Sequence, residues 1–345
     1  MTRSHEKFPV LDGLRAISIL LVLACHLLPL GPHKLRLNEM AGAMGMSLFF
    51  ALSGFLITSG LIRNPNIQEF LMKRLSRILP LAYAYTLVVF LLLSFDPKSL
   101  LWTNLFLVNY LTQYLNDWNA HFWSLCVEMH FYLAAAIVMM IAGRRGLWIV
   151  WPACLGITLL RVNAGAYLAI ETHLRVDEIL SGACVATIYN RRLTFNSCLS
   201  SRVFPALMIV AALLWTISAW PSAAALQYFR PYMTALLLLV SLHYGATRPD
   251  TLLASRPLRY IATISYALYV IHPATAHGWM SEGSIMTKYM LKRPISFALT
   301  FIIAHLSTFF WESRWQSAAR HWLRRRPQIK SAEGIVAPSN PSLSG

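Results

Sequence analysis

Apolar residues in this chain come in long runs, with the polar residues gathered between them. Ten runs stand out, at 10–28, 42–62, 78–95, 124–142, 147–161, 175–190, 203–220, 229–246, 258–279 and 295–312. A helix that crosses a bilayer needs about 20 predominantly apolar residues. The pattern therefore predicts an all-α fold, a polytopic membrane bundle of about ten transmembrane helices. The stretch 100–116 is apolar but interrupted by Asn104, Asn109 and Gln113, and reads as an interfacial or re-entrant segment or as an eleventh span.

Composition agrees with the pattern. Of 345 residues, 57% are hydrophobic and only 13% charged, against about 25% charged in an ordinary soluble domain. A soluble globule, a coiled coil and a disordered chain are excluded. Thirty Lys and Arg against 14 Asp and Glu leave a net charge of +16. On a soluble protein that excess points to nucleic acid, but on a membrane protein it follows from the gathering of Lys and Arg in cytoplasmic loops.

Counting the charges tests the topology. Ten spans with a cytoplasmic N-terminus put 20 basic residues inside: Arg3, Lys7, Arg63, Lys73, Arg74, Arg77, Arg144, Arg145, Arg191, Arg192, Arg202, Arg248, Arg256, Arg259 and six from Arg314 to Lys330. Nine fall outside (Lys34, Arg36, Lys98, Arg161, Arg175, Arg230, Lys288, Lys292 and Arg293), and Arg15 lies within the first span. A span at 100–116 inverts the split to 12 inside and 17 outside. Ten spans with both termini cytoplasmic is the better topology, and anionic lipid accounts for most of the excess without nucleic acid.

No polar stretch is long enough for a soluble domain. Residues 1–313 read as one integral membrane domain, and 314–345 as a basic, then Ser/Pro-rich cytoplasmic tail expected to be disordered. The first apolar run lacks a small-residue cleavage site and is read as retained. Cys25, Cys126, Cys154, Cys184 and Cys198 are scattered, without CxxC or Cys/His metal spacing, and read as small apolar thiols with no disulfide framework and no metal.

Ionisable groups at membrane depth are costly and are candidates for function. Arg15 sits near the inner end of the first span and His26 near its outer end; eleven residues put them on one helix face about 16 Å apart. Glu128 falls at a depth similar to His26, and Asp177, Glu178 and His272 also fall in the outer half. Arg74, Arg77 and Glu312 fall at the inner side. A cationic inner mouth facing an outer group of His and carboxylates suits an anionic cytoplasmic donor and a proton-accepting centre deeper in. Taken singly, each residue has a plainer reading. An intramembrane His often bridges helices, and Arg74 and Arg77 mark a span boundary. Asp12 and Arg15 form an i,i+3 pair, Glu312 pairs with Arg15 or Arg314, and Ser53–Gly54 permits close helix packing.

Six motifs in order carry a resemblance. LDGLRAISILLVLACH holds an Arg-x10-His pattern at Arg15 and His26. MSLFFALSGFLIT (46–58), FLMKRLSRILPLAY (70–83, with Arg74 and Arg77) and HFWSLCVEMHFYL (121–133) follow, then LRVDEILSGACVA (174–186) and SYALYVIHP (265–273). Over residues 9–313 the chain resembles the acyltransferase-3 family of integral membrane O-acyltransferases, in the stand-alone type of surface-polysaccharide and Nod-factor O-acetyltransferases. Two departures from the family pattern are Met129 and His130, where it has Glu and Gln, and WESR in place of its Glu-Arg-Pro form.

The resemblance implies an O-acetyltransferase of the bacterial cytoplasmic (inner) membrane. Its donor would be an acyl-CoA, in the first place acetyl-CoA, used as substrate with no permanently bound cofactor. Its acceptor would be a hydroxyl of a glycan or glycolipid: surface polysaccharide, O-antigen or lipo-oligosaccharide. His26 would be general base or transient acyl carrier, with Glu128 orienting it. Arg15, Arg74 and Arg77 would hold the CoA phosphates, because guanidinium forks fit phosphate. Asp12, Ser53, Trp123, Asp177 and His272 are candidates for substrate contact or support. The competing classes are a transporter or flippase of lipid-linked sugars and a membrane scaffold or sensor. No inverted repeat of the kind many transporters carry is evident.

Overall fold

The computed structural model describes residues 9–93, 96–190, 203–247, 252–277 and 283–325. Thirteen α-helices order them: α1 (Pro9–Leu27), α2 (Leu37–Arg63), α3 (Ile67–Leu93), α4 (Pro97–Asn104), α5 (Phe122–Gly146), α6 (Val150–Asn163), α7 (Asp177–Asn190), α8 (Phe204–Ala219), α9 (Arg230–Thr247), α10 (Arg256–Ala276), the single turn α11 (Ile285–Thr287), α12 (Arg293–Leu306) and α13 (Ser313–Arg325). No strand occurs among the described residues. Arg3, Lys7, Arg191, Arg192, Cys198, Arg202, Arg248 and the tail from residue 326 on lie outside them.

Among the described residues, each of the ten apolar runs falls mainly on helix. Six stretches of them are long and apolar enough to cross a bilayer: Pro9–Leu27, His33–Arg63, Ile67–Leu92, Phe122–Asn163, Ala224–His243 and Ile285–Arg325. The chain is an all-helical, multi-pass membrane protein. The 42-residue stretch Phe122–Asn163 is too long for one crossing. It is broken at Gly143, whose φ of 56° lies in the left-handed region that glycine enters without a Cβ penalty; the break falls in the last turn of α5, ahead of α6. The shorter α7 and α8 and the more polar α10 fall outside the six.

The stretch 100–116 is not a spanning helix. Asp96 caps α4, its side chain accepting from the Lys98 amide at 3.2 Å, with Pro97 at the first helical position. The helix stops at Asn104, Phe106 takes a φ of 57°, and turns follow. Two of the interrupting polar residues tie this irregular segment down. Asn104 accepts from Thr86 Oγ1 at 2.8 Å, and buried Asn109 donates to the Ile170 carbonyl and to Thr172 Oγ1. Asn119 donates to Ser99 and Thr103 hydroxyls. Non-helical backbone survives at such depth only when protein satisfies it.

At the centre, α2 packs between α1 and α7. The α2–α7 crossing is close because both faces are glycine: a Cβ on Gly54 would lie 1.8 Å from the Ile179 carbonyl oxygen, and one on Gly182 1.8 Å from that of Ala51. This is the close backbone approach that small residues allow between membrane helices. On its other side α1 packs against α10. The periphery carries exposed Leu91, Ile141, Leu155, Ile209 and Ile302, an apolar flank suited to lipid.

Three arginines counted on the outer side, each at the end of a predicted span, are buried. Arg161, Arg175 and Arg230 are at most 2% exposed. Arg161 Nη1 lies 2.6 Å from Asp177 Oδ2, Arg230 Nε 2.8 Å from Glu178 Oε1, and Arg175 Nε 3.3 Å from Glu178 Oε2. The carboxylates opening α7 draw them inside, since a buried charge must be paired. The segment assigned to the tail begins helically, as α13, which packs on α3.

Candidate active site

Apart from the buried arginine–carboxylate set at α7, two groups of polar residues lie at different heights along α1. Arg15 marks one end of α1 and His26 the other.

At the Arg15 end, the half-buried guanidinium lies within electrostatic range of Asp12, Arg74, Arg77 and Glu128. Asp12 and Arg15 do not close the expected contact pair; the attraction acts at longer range. Arg74 and Arg77 come from the first half of α3, where their i,i+3 spacing turns both toward α5, and the Arg74 guanidinium lies 5.9 Å from the Tyr132 ring. Glu128, 5% exposed, accepts from Ser53 Oγ at 2.5 Å and from Tyr132 Oη at 2.7 Å, both at Oε1. Ser53 stands on α2 beside the glycine crossing, which brings its short hydroxyl within reach of α5. Glu312 belongs to the same end. It accepts from Ser307 and Thr308 hydroxyls within a π-helical turn after α12 and feels the charge of Arg77, so it pairs with neither Arg15 nor Arg314.

At the other end, exposed His26 faces buried His272 of α10, with ring centroids 5.0 Å apart. His272 is 5.5 Å from His121 and 5.8 Å from Tyr269, centroid to centroid. His272 Nδ1 donates to the Tyr269 carbonyl at 2.7 Å, and His121 Nε2 to the Val270 carbonyl at 3.1 Å. Tyr269 Oη donates to the His121 carbonyl at 2.6 Å and meets Ser124 Oγ at 2.5 Å. The irregular segment before α5 closes this end: Trp118 lies edge-on to His277, and its carbonyl accepts from Tyr85 Oη.

The expected pairing of His26 with Glu128 is not formed. Their depths along separate helices looked alike, but α2 and α5 turn Glu128 toward the arginines, and His26 finds imidazoles. Asp177 joins neither end, being held by Arg161 and by Thr158 Oγ1 at 3.1 Å. Trp123 lies beneath the Arg175 guanidinium, 5.3 Å away, and edge-on to Phe50. Sequence reasoning missed His121, Tyr269, Ser124 and Tyr132. All four lie within motifs already singled out, yet only the meeting of α5 with α10 for the first three, and with α3 for Tyr132, shows what they face.

A narrow cleft runs between the two ends. It is lined by Arg15, Ser18 and Val22 of α1, Met46 and Phe49 of α2, and Tyr269 of α10. Its walls are mostly apolar, with a guanidinium at one end and a phenol that touches the imidazole group at the other.

A family model for an acyltransferase domain, acyltransferase-3, matches residues 8–310. The peptidoglycan O-acetyltransferase OatA of Listeria monocytogenes is 24% identical over 364 aligned positions, covering 90% of this chain and 56% of the relative. The O-acetyltransferase OatA of Staphylococcus aureus is 25% identical over 364 positions, covering 90% and 57%. The chain spans little more than half the length of these relatives. No solved structure matches it.

Proposed function

Because the chain belongs to the acyltransferase-3 family, we propose that it transfers an acetyl group from acetyl-CoA to a hydroxyl of a bacterial surface glycan, from within the cytoplasmic membrane. The observation that supports this reading is the placement of a guanidinium group and an imidazole group along α1, with a small, mostly apolar cleft between Arg15 and Tyr269. The relatives' printed names, peptidoglycan O-acetyltransferase and O-acetyltransferase, supply the glycan class. Both name acyl transfer and neither names transport, so the transporter reading is not favoured.

In this scheme the bundle has ten spans and both termini are cytoplasmic. Arg15, Arg74 and Arg77 open to the cytoplasm and hold the CoA phosphates. The pantetheine arm lies in the apolar cleft and brings the thioester toward Tyr269 and His26. Arg15 and His26 are about 16 Å apart along α1, a length the arm must span, which accounts for the wide spacing of the Arg-x10-His pattern. Glu128, anchored by Ser53 and Tyr132, balances and positions the three guanidiniums.

At the outer end a sugar hydroxyl is a weak nucleophile at neutral pH. His26 takes its proton as the oxygen attacks the thioester carbonyl. The C–S bond then breaks, and the CoA sulfur leaves with the electron pair and recovers the proton from His26. A positioned base contributes typically 10²–10⁴-fold, so His26→Ala should lower glycan O-acetylation by about that factor at an unchanged membrane level. Immunoblotting and mass spectrometry of released O-acetyl groups measure the two quantities. Normal O-acetylation in a normally expressed variant removes the base assignment.

A further inference from the structure

A general base must be held in one orientation, and the charge it acquires must find an acceptor. In many enzymes a carboxylate on the far ring nitrogen does both. Glu128, the carboxylate expected here, faces the arginines instead. The ring next to His26 is His272.

The state of His272 follows from its own helix. Pro273 has no amide hydrogen, so the carbonyl of Tyr269, four residues back, lacks its helical donor. His272 Nδ1 lies 2.7 Å from that carbonyl oxygen, which can only accept. Nδ1 therefore carries a hydrogen, and in the neutral ring Nε2 keeps a bare lone pair. His121 is fixed in the same manner by the next carbonyl. Its Nε2 donates to Val270 O, and its Nδ1 is buried and unpartnered, a rarity that calls for explanation in a folded protein. In their neutral forms the two imidazoles, 5.5 Å apart, thus carry acceptor nitrogens beside His26, whose ring is 5.0 Å from that of His272.

We propose that His272 is the positioning residue of His26: its Nε2 accepts a hydrogen bond from the His26 imidazolium formed during acyl transfer, with its tautomer set by the carbonyl that Pro273 frees and His121 as the second acceptor behind it. The inference rests on the reading of His26 as the base. The proton taken from the sugar hydroxyl stays on His26, shared with His272, and passes to the departing sulfur. No net proton enters or leaves His272.

The test compares His272→Leu, His272→Gln and Pro273→Ala with His26→Ala in membranes supplied with acetyl-CoA and a glycan acceptor, at matched protein level. His272→Leu removes the acceptor and should lower kcat on the order of 10²-fold, the low end for a general-base contribution, with the KM for acetyl-CoA unchanged. The Gln amide oxygen falls near the place of Nε2, so His272→Gln should recover most of that rate. Pro273→Ala makes α10 more regular and gives Tyr269 O a competing amide donor. It should lower kcat about tenfold, a fraction of the base's contribution, without loss of protein, which keeps the test decisive even if the Leu variant fails to accumulate. An unchanged kcat in both His272→Leu and Pro273→Ala, with His26→Ala inactive, overturns the pairing and leaves the base intact. Gln no better than Leu at equal protein level, with Pro273→Ala unaffected, overturns it as mere packing. Activity retained in His26→Ala overturns the base itself, a separate result.

Discussion

Arg74 and Arg77 have two possible duties, marking a membrane boundary and binding an anion, and their surroundings separate the two. A boundary arginine extends into headgroups, whereas these lie half-buried and act on Arg15, Tyr132 and Glu312. Three guanidiniums held so close repel one another, and nearby Asp12 and Glu128 offset that only in part. An arriving phosphate completes the balance. Hydrogen bonds to charged groups contribute about 1.5–3 kcal/mol each, so Arg74→Ala combined with Arg77→Ala should raise the KM for acetyl-CoA by at least about 100-fold while changing kcat much less. Equal donor affinity in the double variant would return both residues to topology. At this scale the sequence singles out candidates, because Arg15, His26, Arg74, Arg77 and Glu128 are polar where polarity is costly. It was uninformative about partners. Helical rotation, not depth, decides whether Glu128 meets an imidazole or a guanidinium, and a run of apolar residues does not record the rotation.

Elements are held together here by two devices. One is the glycine crossing of α2 and α7, which also delivers Ser53 to Glu128. A methyl group on Gly182 would sit 1.8 Å from the Ala51 carbonyl oxygen, so Gly182→Ala must force the helices apart. It should lower the thermal unfolding midpoint of the purified protein and reduce O-acetylation. Gly156→Ala, which meets nothing within 4 Å, should be neutral or stabilising by up to about 1 kcal/mol, the propensity difference of the two residues. Similar midpoints for the two variants would contradict the close crossing. The other device is the buried set of Arg161, Arg175 and Arg230 with Asp177 and Glu178, which ties α6, α7 and α9. Removing one member of such a pair costs about 3–5 kcal/mol. The glycines were legible as small residues in SLSGFLIT and LSGACVA. The burial of the arginines was not legible, because sequence position places a residue near a membrane surface without saying whether its side chain turns inward.

Across the whole molecule, the proposed scheme requires the arginine and imidazole groups to face different compartments. With ten spans, His33 follows the outer end of α1 and Arg320 lies on the cytoplasmic helix α13; both are exposed. In a background with its cysteines replaced, His33→Cys should react with a membrane-impermeant maleimide in intact cells, and Arg320→Cys only after permeabilisation. Labelling of both in intact cells would place the termini outside and detach the arginine cluster from the cytoplasmic donor. α13 itself carries Trp315 and Trp322 on one face with Arg320 and Arg324 opposite, the layout of a helix lying along an interface.

Apolar runs of membrane length, and the few ionisable residues inside them, were enough to predict an all-α bundle, to exclude a soluble nucleic-acid binder and to nominate both ends of the site. Both follow from local physics. Hydrocarbon tolerates little but apolar helix, so every exception is visible in the chain. The choice of neighbours is a different matter. That Glu128 joins three arginines, that His26 meets His272 and His121, and that three arginines turn inward toward α7 depend on how helices far apart in the chain are rotated and how closely they cross. Those quantities are set jointly by all the packed faces, and no single run of residues contains them.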